Sequence, residues 1–265
     1  MWLPVFANTF LVAQRLQDDP VKNGLIAISL CLASSFGFVL NDLIDIKEDR
    51  ANCKKRLQDL THKQRQQAIA VAGAQCASSL CLAVAAGTTA MLSMLAVIAG
   101  LILYSTHVRK TILAANLLAA ALCASPLWIS VLVHSGYDDT CLLWMLAISI
   151  LVFLGREIAF DAADVAGDSI GGRATIANVF GRRKAVLCSL GLQAAVLIIC
   201  LALLPAIASH SGVLFGAVLA FLLLMTAAMG ALYLDTREAG FRITRFINLS
   251  RASLLLSPFI AWHLL

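Results

Sequence analysis

The chain has 265 residues, of which 60% are hydrophobic and only 13% are charged, and its net charge is +5. Its mean hydropathy is +0.87, whereas a soluble domain is usually about 45–50% apolar and about 25% charged. This composition excludes an ordinary soluble protein and predicts an integral membrane protein, with lipid around it and no nucleic-acid partner.

Nine apolar segments follow one another along the chain. A helix needs about 20 mainly apolar residues to cross a bilayer, and all the segments except the short first one approach that length. Few of them alternate as strands do, so the sequence predicts an all-helical bundle and not a β-barrel. The segments lie near residues 1–14, 24–41, 68–86, 88–105, 111–133, 141–160, 185–208, 212–234 and 246–265.

Lysine and arginine residues are concentrated in alternate connections between these segments. Of the 20 Lys and Arg residues, only Arg15 and Lys22 fall on the other side. By the positive-inside rule, the basic connections face the cytoplasm. The predicted topology therefore places the N-terminus inside and the C-terminus outside a bacterial or archaeal cytoplasmic membrane.

The second apolar segment runs directly into an acidic stretch, FVLNDLIDIKEDR at residues 38–50. On a continuous helix at 100° per residue, Asp42, Asp45 and Asp49 point into an arc of about 60°, with Asn41 and Glu48 at its edge. Charges are costly to bury in a medium of low dielectric constant. A line of carboxylates at the end of a membrane helix therefore predicts a functional site.

A second acidic stretch, GREIAFDAADVAGDS, repeats this pattern at the cytoplasmic end of another apolar segment. Asp161, Asp164 and Asp168 have the same spacing as the first three aspartates, and Glu157 lies one turn earlier in the same arc. Weak internal symmetry of this kind is common in membrane proteins. The sequence thus predicts one domain, 1–265, made of two pseudo-repeats at about 1–133 and 134–265.

Two facing rows of carboxylates would repel each other, and hard divalent cations would relieve that repulsion. Mg²⁺ binds a few carboxylates and keeps its other positions for water or phosphate oxygens, and nearby cations suit phosphate. The alternative is that each acidic helix end simply faces water, which the repeated spacing disfavours. The candidate phosphate-binding cations are Lys54, Lys55, Arg56, Arg109, Lys110, Arg156 and Arg173.

The two acidic stretches carry a family resemblance. NDLIDIKEDR resembles the N-D-x-x-D-x-x-x-D-R signature of the UbiA-type intramembrane prenyltransferases, and REIAFDAADVAGD followed by GGRATI resembles their second aspartate motif. The latter form is most similar to the branch that contains the archaeal lipid geranylgeranyl transferases and the homogentisate and chlorophyll enzymes. YSTHVRK and LAANLL also resemble a central stretch of the family, with Arg109 at its lysine position and Asn116 at its asparagine.

This resemblance implies a nine-helix ring around a central cavity that opens sideways to lipid. It implies that the substrate is an isoprenyl diphosphate whose tail lies in the cavity, with Mg²⁺ as cofactor and an unidentified small aromatic or lipid acceptor. The implied Mg²⁺ ligands are Asn41, Asp45, Asp49, Asp161, Asp164 and Asp168.

The resemblance also implies roles for further residues around the same site. Asp42 would orient the first row of ligands, and Tyr104 would stabilise positive charge or contact the bridging oxygen of the diphosphate. With Asp164, these are the implied catalytic residues. The implied diphosphate contacts are Lys55, Arg109, Arg156 and Arg50.

One departure from the family pattern keeps an alternative open. The loop after the first motif reads KKRLQDLTHKQRQQ, without the usual Arg-Pro and Gly. In the family that loop helps to close the site, so the resemblance does not extend to closure of the site or to acceptor choice. A membrane terpene cyclase, which needs no acceptor, is therefore the second hypothesis. A third is a transporter or binder of phosphorylated lipid, although transporters usually place ionisable residues near mid-membrane.

Overall fold

The computed structural model describes residues 19–52, 60–133 and 140–203, and all regular structure in these ranges is helical. A 3-10 turn, Val108–Lys110, follows the fourth helix. The α-helices are α1 (Pro20–Ile44), α2 (Ile46–Ala51), α3 (His62–Ala86), α4 (Thr88–Thr106), α5 (Ala114–Cys123), α6 (Ser125–Val133), α7 (Thr140–Ile170), α8 (Ile176–Phe180) and α9 (Arg182–Leu203).

Within these ranges, α1, α3 and α4 are long and apolar enough to cross a membrane. The predicted span at 111–133 is instead formed by two short helices, α5 and α6, which are bent by 59° at Ala124 and count as a fourth span if taken together. The predicted segments 1–14, 212–234 and 246–265 lie outside the described residues. The structure therefore supports an all-helical membrane fold with at least three spans.

The first spans pack closely through small polar side chains. α1 packs mainly against α3 and α4. At the α1–α3 crossing, the Ser29 hydroxyl donates to the Ser79 carbonyl over 2.7 Å, and the Ser79 hydroxyl donates back to the Ser29 carbonyl over 2.8 Å. Both serines are fully buried. Small hydroxyl-bearing residues let two helices approach closely in lipid, where no water competes for the hydrogen bonds.

The long helix α7 is the centre of the second half of the described chain. It packs against α9, α5, α8 and the short α2. The α9 side of this contact is fixed by two polar bonds, from Ser189 to the Gly155 carbonyl at 2.6 Å and from Gln193 to the Val152 carbonyl at 3.1 Å. These bonds hold the middle of α7, where the second acidic stretch begins, against α9.

The first acidic stretch is not one continuous helix, contrary to the sequence prediction. α1 ends at Ile44, Asp45 has φ −89° and ψ 19°, and α2 begins at Ile46. The break is one residue long, because the Asp45 amide still donates to the Asn41 carbonyl and the Asp49 amide donates to the Asp45 carbonyl. Asp45 therefore stands at a break between α1 and α2, so Asp42, Asp45 and Asp49 do not lie on one uninterrupted helix.

Candidate active site

The two acidic stretches meet where α2 packs against α7. The Asn52 side-chain oxygen accepts a hydrogen bond from the Gly167 amide over 2.8 Å. A Cβ atom at Gly167 would lie 2.6 Å from the Glu48 carbonyl oxygen, and one at Gly171 would lie 2.5 Å from a Glu48 carboxylate oxygen. The two glycines thus allow a backbone approach that side chains would prevent.

Two arginines lie between the acids and neutralise them. Arg109, which is 7% exposed, pairs with Asp45 and with Glu48, the latter at 2.5 Å. Arg173 pairs with Asp45 and, over 3.5 Å, with Asp168. Asp45 is therefore shared by both guanidinium groups, and it connects the first acidic stretch to the second.

Burial also affects Arg109 itself. Removal from water, together with the nearby Arg173 guanidinium, lowers the pKa of Arg109 to about 10, because both disfavour its charged form. Its side chain still carries a positive charge at neutral pH. In the structure, the repulsion predicted between the two rows of carboxylates is thus offset by arginines.

A small cavity opens beside these ion pairs. Its volume is about 10 Å³, which is room for about one water molecule. On one wall, the Asn116 amide donates to the Asp161 carboxylate over 2.8 Å. The lining side chains are those of Tyr104, Arg109, Ala115, Asn116, Glu157, Asp161, Arg173 and Thr175.

Arg156 does not line this cavity, although the resemblance implied that it contacts diphosphate. Its guanidinium pairs with Glu157, donates to the Cys123 sulfur over 2.9 Å, and lies 4.7 Å from the ring centre of Phe153 and 5.9 Å from that of Phe160. Adjacent helical residues point about 100° apart, so when Glu157 faces the cavity its neighbour faces elsewhere. In this arrangement Arg156 supports Glu157.

The remaining predicted residues occupy different positions. Arg50 is exposed on α2, Asp42 and Asp164 are half-buried on α1 and α7, and Asp49 is buried. Lys55 lies outside the described residues. The structure therefore brings together Asp45, Arg109, Tyr104, Asp161 and Asp168, and places Arg50 at the surface.

The donors of the predicted metal site have suitable chemistry but are not assembled as a cage. In the described part of the chain, no three His, Cys, Asp or Glu residues are placed so that they could hold a metal ion. The Asn41 side-chain oxygen is nevertheless buried, and it has no hydrogen-bond partner among the described residues. An orphaned amide oxygen beside carboxylates suits a hard, oxygen-binding cation such as Mg²⁺.

Three residues at the site had no assigned role from the sequence. Glu48 was placed at the edge of the carboxylate arc, yet it is 9% exposed and pairs with Arg109. Asn52 connects the two acidic stretches. Thr175 lines the cavity and accepts a hydrogen bond from the Asn178 amide at the start of α8. Glu48 and Thr175 lie within the two motifs, and Asn52 lies two residues after the first motif; this position was the sequence signal for them.

A match to a protein-family profile establishes which family this chain belongs to. A profile described as the UbiA prenyltransferase family matches residues 1–250. The chain belongs to the UbiA prenyltransferase family. The resemblance carried by the two aspartate motifs is thereby confirmed over most of the sequence.

One relative of this UbiA protein is an archaeal synthase. A digeranylgeranylglyceryl phosphate synthase from Methanoculleus marisnigri is 30% identical over 185 residues, a match covering 66% of this chain and 64% of that synthase. The match thus spans less than two thirds of the relative's length.

Two solved structures are similar over nearly the whole UbiA chain. An apo UbiA homologue from Aeropyrum pernix K1 has a TM-score of 0.72 at 19% identity, with 96% of this chain and 97% of that chain covered. A UbiA homologue from Archaeoglobus fulgidus, bound to DMAPP and Mg²⁺, has a TM-score of 0.64 at 15% identity, with 96% and 94% covered. At these identities the likeness establishes the shared UbiA fold.

Proposed function

We propose that this protein transfers an isoprenyl group from a prenyl diphosphate to a small aromatic or lipid acceptor within the membrane, in a reaction that depends on Mg²⁺. One observation carries this proposal. Carboxylates from both acidic stretches, including Asp45 and Asp168, meet the guanidinium groups of Arg109 and Arg173 beside one cavity. Such a site can bind an anionic, metal-associated group at the end of a hydrophobic bundle.

Departure of diphosphate from an allylic carbon places negative charge on the leaving group. Arg109 and Arg173 line the cavity as fixed positive charges, and such preorganised charges stabilise a developing anion. When bound, Mg²⁺ would act as a Lewis acid and stabilise the negative charge on the diphosphate oxygens. The proposed ligands of the ion are Asn41, Asp45, Asp49, Asp161, Asp164 and Asp168.

The prenyl carbon develops positive charge as the diphosphate leaves. Tyr104 lines the cavity beside Glu157 and Asp161, and an aromatic face can stabilise a cation without forming a bond to it. The homologue bound to DMAPP and Mg²⁺ supports both the substrate class and the cofactor.

The proposed architecture is the nine-helix ring of two pseudo-repeats, with the active site facing the cytoplasm. α1 and α4 both end at the site, since Asp45 follows α1 and Arg109 lies three residues after α4. In the topology predicted from the basic connections, both helices run from outside to inside. That direction supports a site at the cytoplasmic face.

The test uses membranes containing the protein, Mg²⁺ and a panel of prenyl diphosphates, with mass spectrometry of the organic extract. Acceptors are added separately and include a glyceryl phosphate lipid, because the Methanoculleus relative is named for such a product, and an aromatic extract. We expect the diphosphate to be consumed only with an acceptor, and EDTA or Asp45→Ala to prevent it.

The other outcomes identify the alternatives. A cyclic hydrocarbon or alcohol formed without acceptor would indicate a terpene cyclase. Binding of the prenyl diphosphate without turnover under any condition, and without need for a metal, would indicate a binding or transport protein and would refute the proposal.

A further inference from the structure

Glu48 lies within the first acidic stretch but outside its regular spacing of aspartates. Its side chain is buried against Gly171, and its carboxylate pairs with Arg109 at 2.5 Å. It therefore contacts an arginine of the cavity wall, and its side chain fits there because the first residue after α7, Gly171, has no side chain.

The two carboxylates that pair with Arg109, those of Asp45 and Glu48, differ in whether they have other partners. Asp45 also pairs with Arg173 and is a proposed metal ligand, so its carboxylate has competing partners. Arg109 is the one ion-pair partner that the described structure gives Glu48. When Asp45 binds another cation, the contact with Glu48 still fixes the guanidinium.

We propose that Glu48 is a positioning residue that keeps the Arg109 guanidinium at the cavity wall, ready to bind the diphosphate; this rests on the proposed function. A guanidinium has five N–H donors in a rigid plane. One edge can remain on Glu48 while the other turns to phosphate oxygens. Charge-assisted hydrogen bonds of this kind are short and directional, and a side chain already held in place loses less freedom on binding.

The packing around Glu48 supports the same role. A Cβ atom at Gly171 would lie 2.5 Å from its carboxylate oxygen and 2.8 Å from its Cγ atom, so any larger residue would push the side chain away. Gly171→Ala should therefore reproduce the loss of Glu48 with both charges still present. Gly73→Ala is the matched control, since no atom lies within 4 Å of its added Cβ.

The experiment is a double-mutant cycle on the purified full chain in detergent. The affinity for inorganic diphosphate in the presence of Mg²⁺ is measured by ligand-induced thermal stabilisation, and the KM for geranylgeranyl diphosphate is measured in parallel. Glu48→Ala, Glu48→Gln and Gly171→Ala are compared in the wild-type and Arg109→Gln backgrounds. The melting temperature without ligand shows whether each variant is folded.

We expect Glu48→Ala to weaken diphosphate binding about tenfold, which corresponds to the loss of one hydrogen bond to a charged group. Glu48→Gln, which keeps size and an acceptor oxygen, should have a smaller effect and provides the result if the alanine variant does not fold. In the Arg109→Gln background neither change should weaken binding further, because the residue through which Glu48 acts is gone.

Two results would overturn the inference. If wild-type protein binds diphosphate but the Glu48 variants bind it equally well, or lose equal affinity with and without Arg109, Glu48 does not act through Arg109. If the wild-type protein itself does not bind diphosphate with Mg²⁺, the proposed function fails and the role of Glu48 fails with it.

Discussion

Asp45→Asn tests whether arginines balance the charge of the acidic site in the absence of ligand. Asp45 is 4% exposed and is shared by Arg109 and Arg173. If those ion pairs dominate, neutralising Asp45 leaves the buried Arg109 and the half-buried Arg173 short of negative charge and destabilises the protein. If repulsion from the neighbouring carboxylates dominates instead, the same substitution relieves it and stabilises the protein.

The contacts set the size of the expected effect. Removing one partner of a buried ion pair costs about 3–5 kcal/mol. Arg109 keeps Glu48 and Arg173 keeps Asp168, so we expect the lower end, about 3 kcal/mol of unfolding free energy. At about 2–4 °C per kcal/mol for a chain of roughly this size, the melting temperature should fall by about 6–12 °C.

The assay is thermal unfolding of purified protein in detergent without metal or diphosphate. Asp19→Asn is the matched control, because Asp19 is an exposed N-cap of α1 and asparagine caps a helix as well as aspartate does. It removes the same charge and should change the melting temperature little. A melting temperature that is unchanged or higher in Asp45→Asn would refute the charge balance seen in the structure.

Three other variants test separate parts of the molecule. Asp164→Ala should abolish turnover while the protein stays folded in the membrane, because a proposed metal ligand is lost; full turnover, measured by product mass spectrometry, would contradict its role. Gly167→Ala should separate α2 from α7 and cost about 1–3 kcal/mol, whereas Gly73→Ala should leave the thermal unfolding curve unchanged. Ser29→Ala should cost about 1 kcal/mol through loss of its bond to Ser79, and equal melting temperatures for the variant and wild type would argue against that contact.

Composition and charge distribution were sufficient to predict the class of the fold. The predicted apolar segments are overlapped by the described helices α1, α3, α4, α7 and α9. Unpaired backbone N–H and C=O groups are costly in lipid, and an α-helix pairs them within its own segment. The repeated aspartate spacing also predicted that the two acidic stretches belong to one site, and α2 does pack against α7. The second acidic stretch lies on one continuous helix, α7, as its predicted arc of carboxylates requires.

The details that the sequence did not predict depend on tertiary contacts. No proline or glycine stands at the helix break at Asp45. At this residue two arginines from distant segments both pair with the carboxylate. The sequence allowed part of the orientation of Arg156 to be predicted, because this residue points in a different direction around the helix from Glu157 and Asp161. Which neighbours it meets, Cys123 on α5 and two phenylalanine rings, depends on how the helices pack.

Gly167 on α7 and Gly171, the first residue after that helix, have a consequence for how sequences of this kind can diverge. At Gly167 and Gly171 the main chain lies directly against Asn52 and Glu48, so the distance between the two halves of the site depends on the absence of a side chain at these two positions. Residues on the outer faces, such as Ile28, Val84 and Leu92, are exposed and are free to change with the lipid composition of the host membrane. Evolutionary drift in such a protein should therefore accumulate on the outside of the bundle, while the dimensions of the site are inherited through two positions that carry no side chain at all.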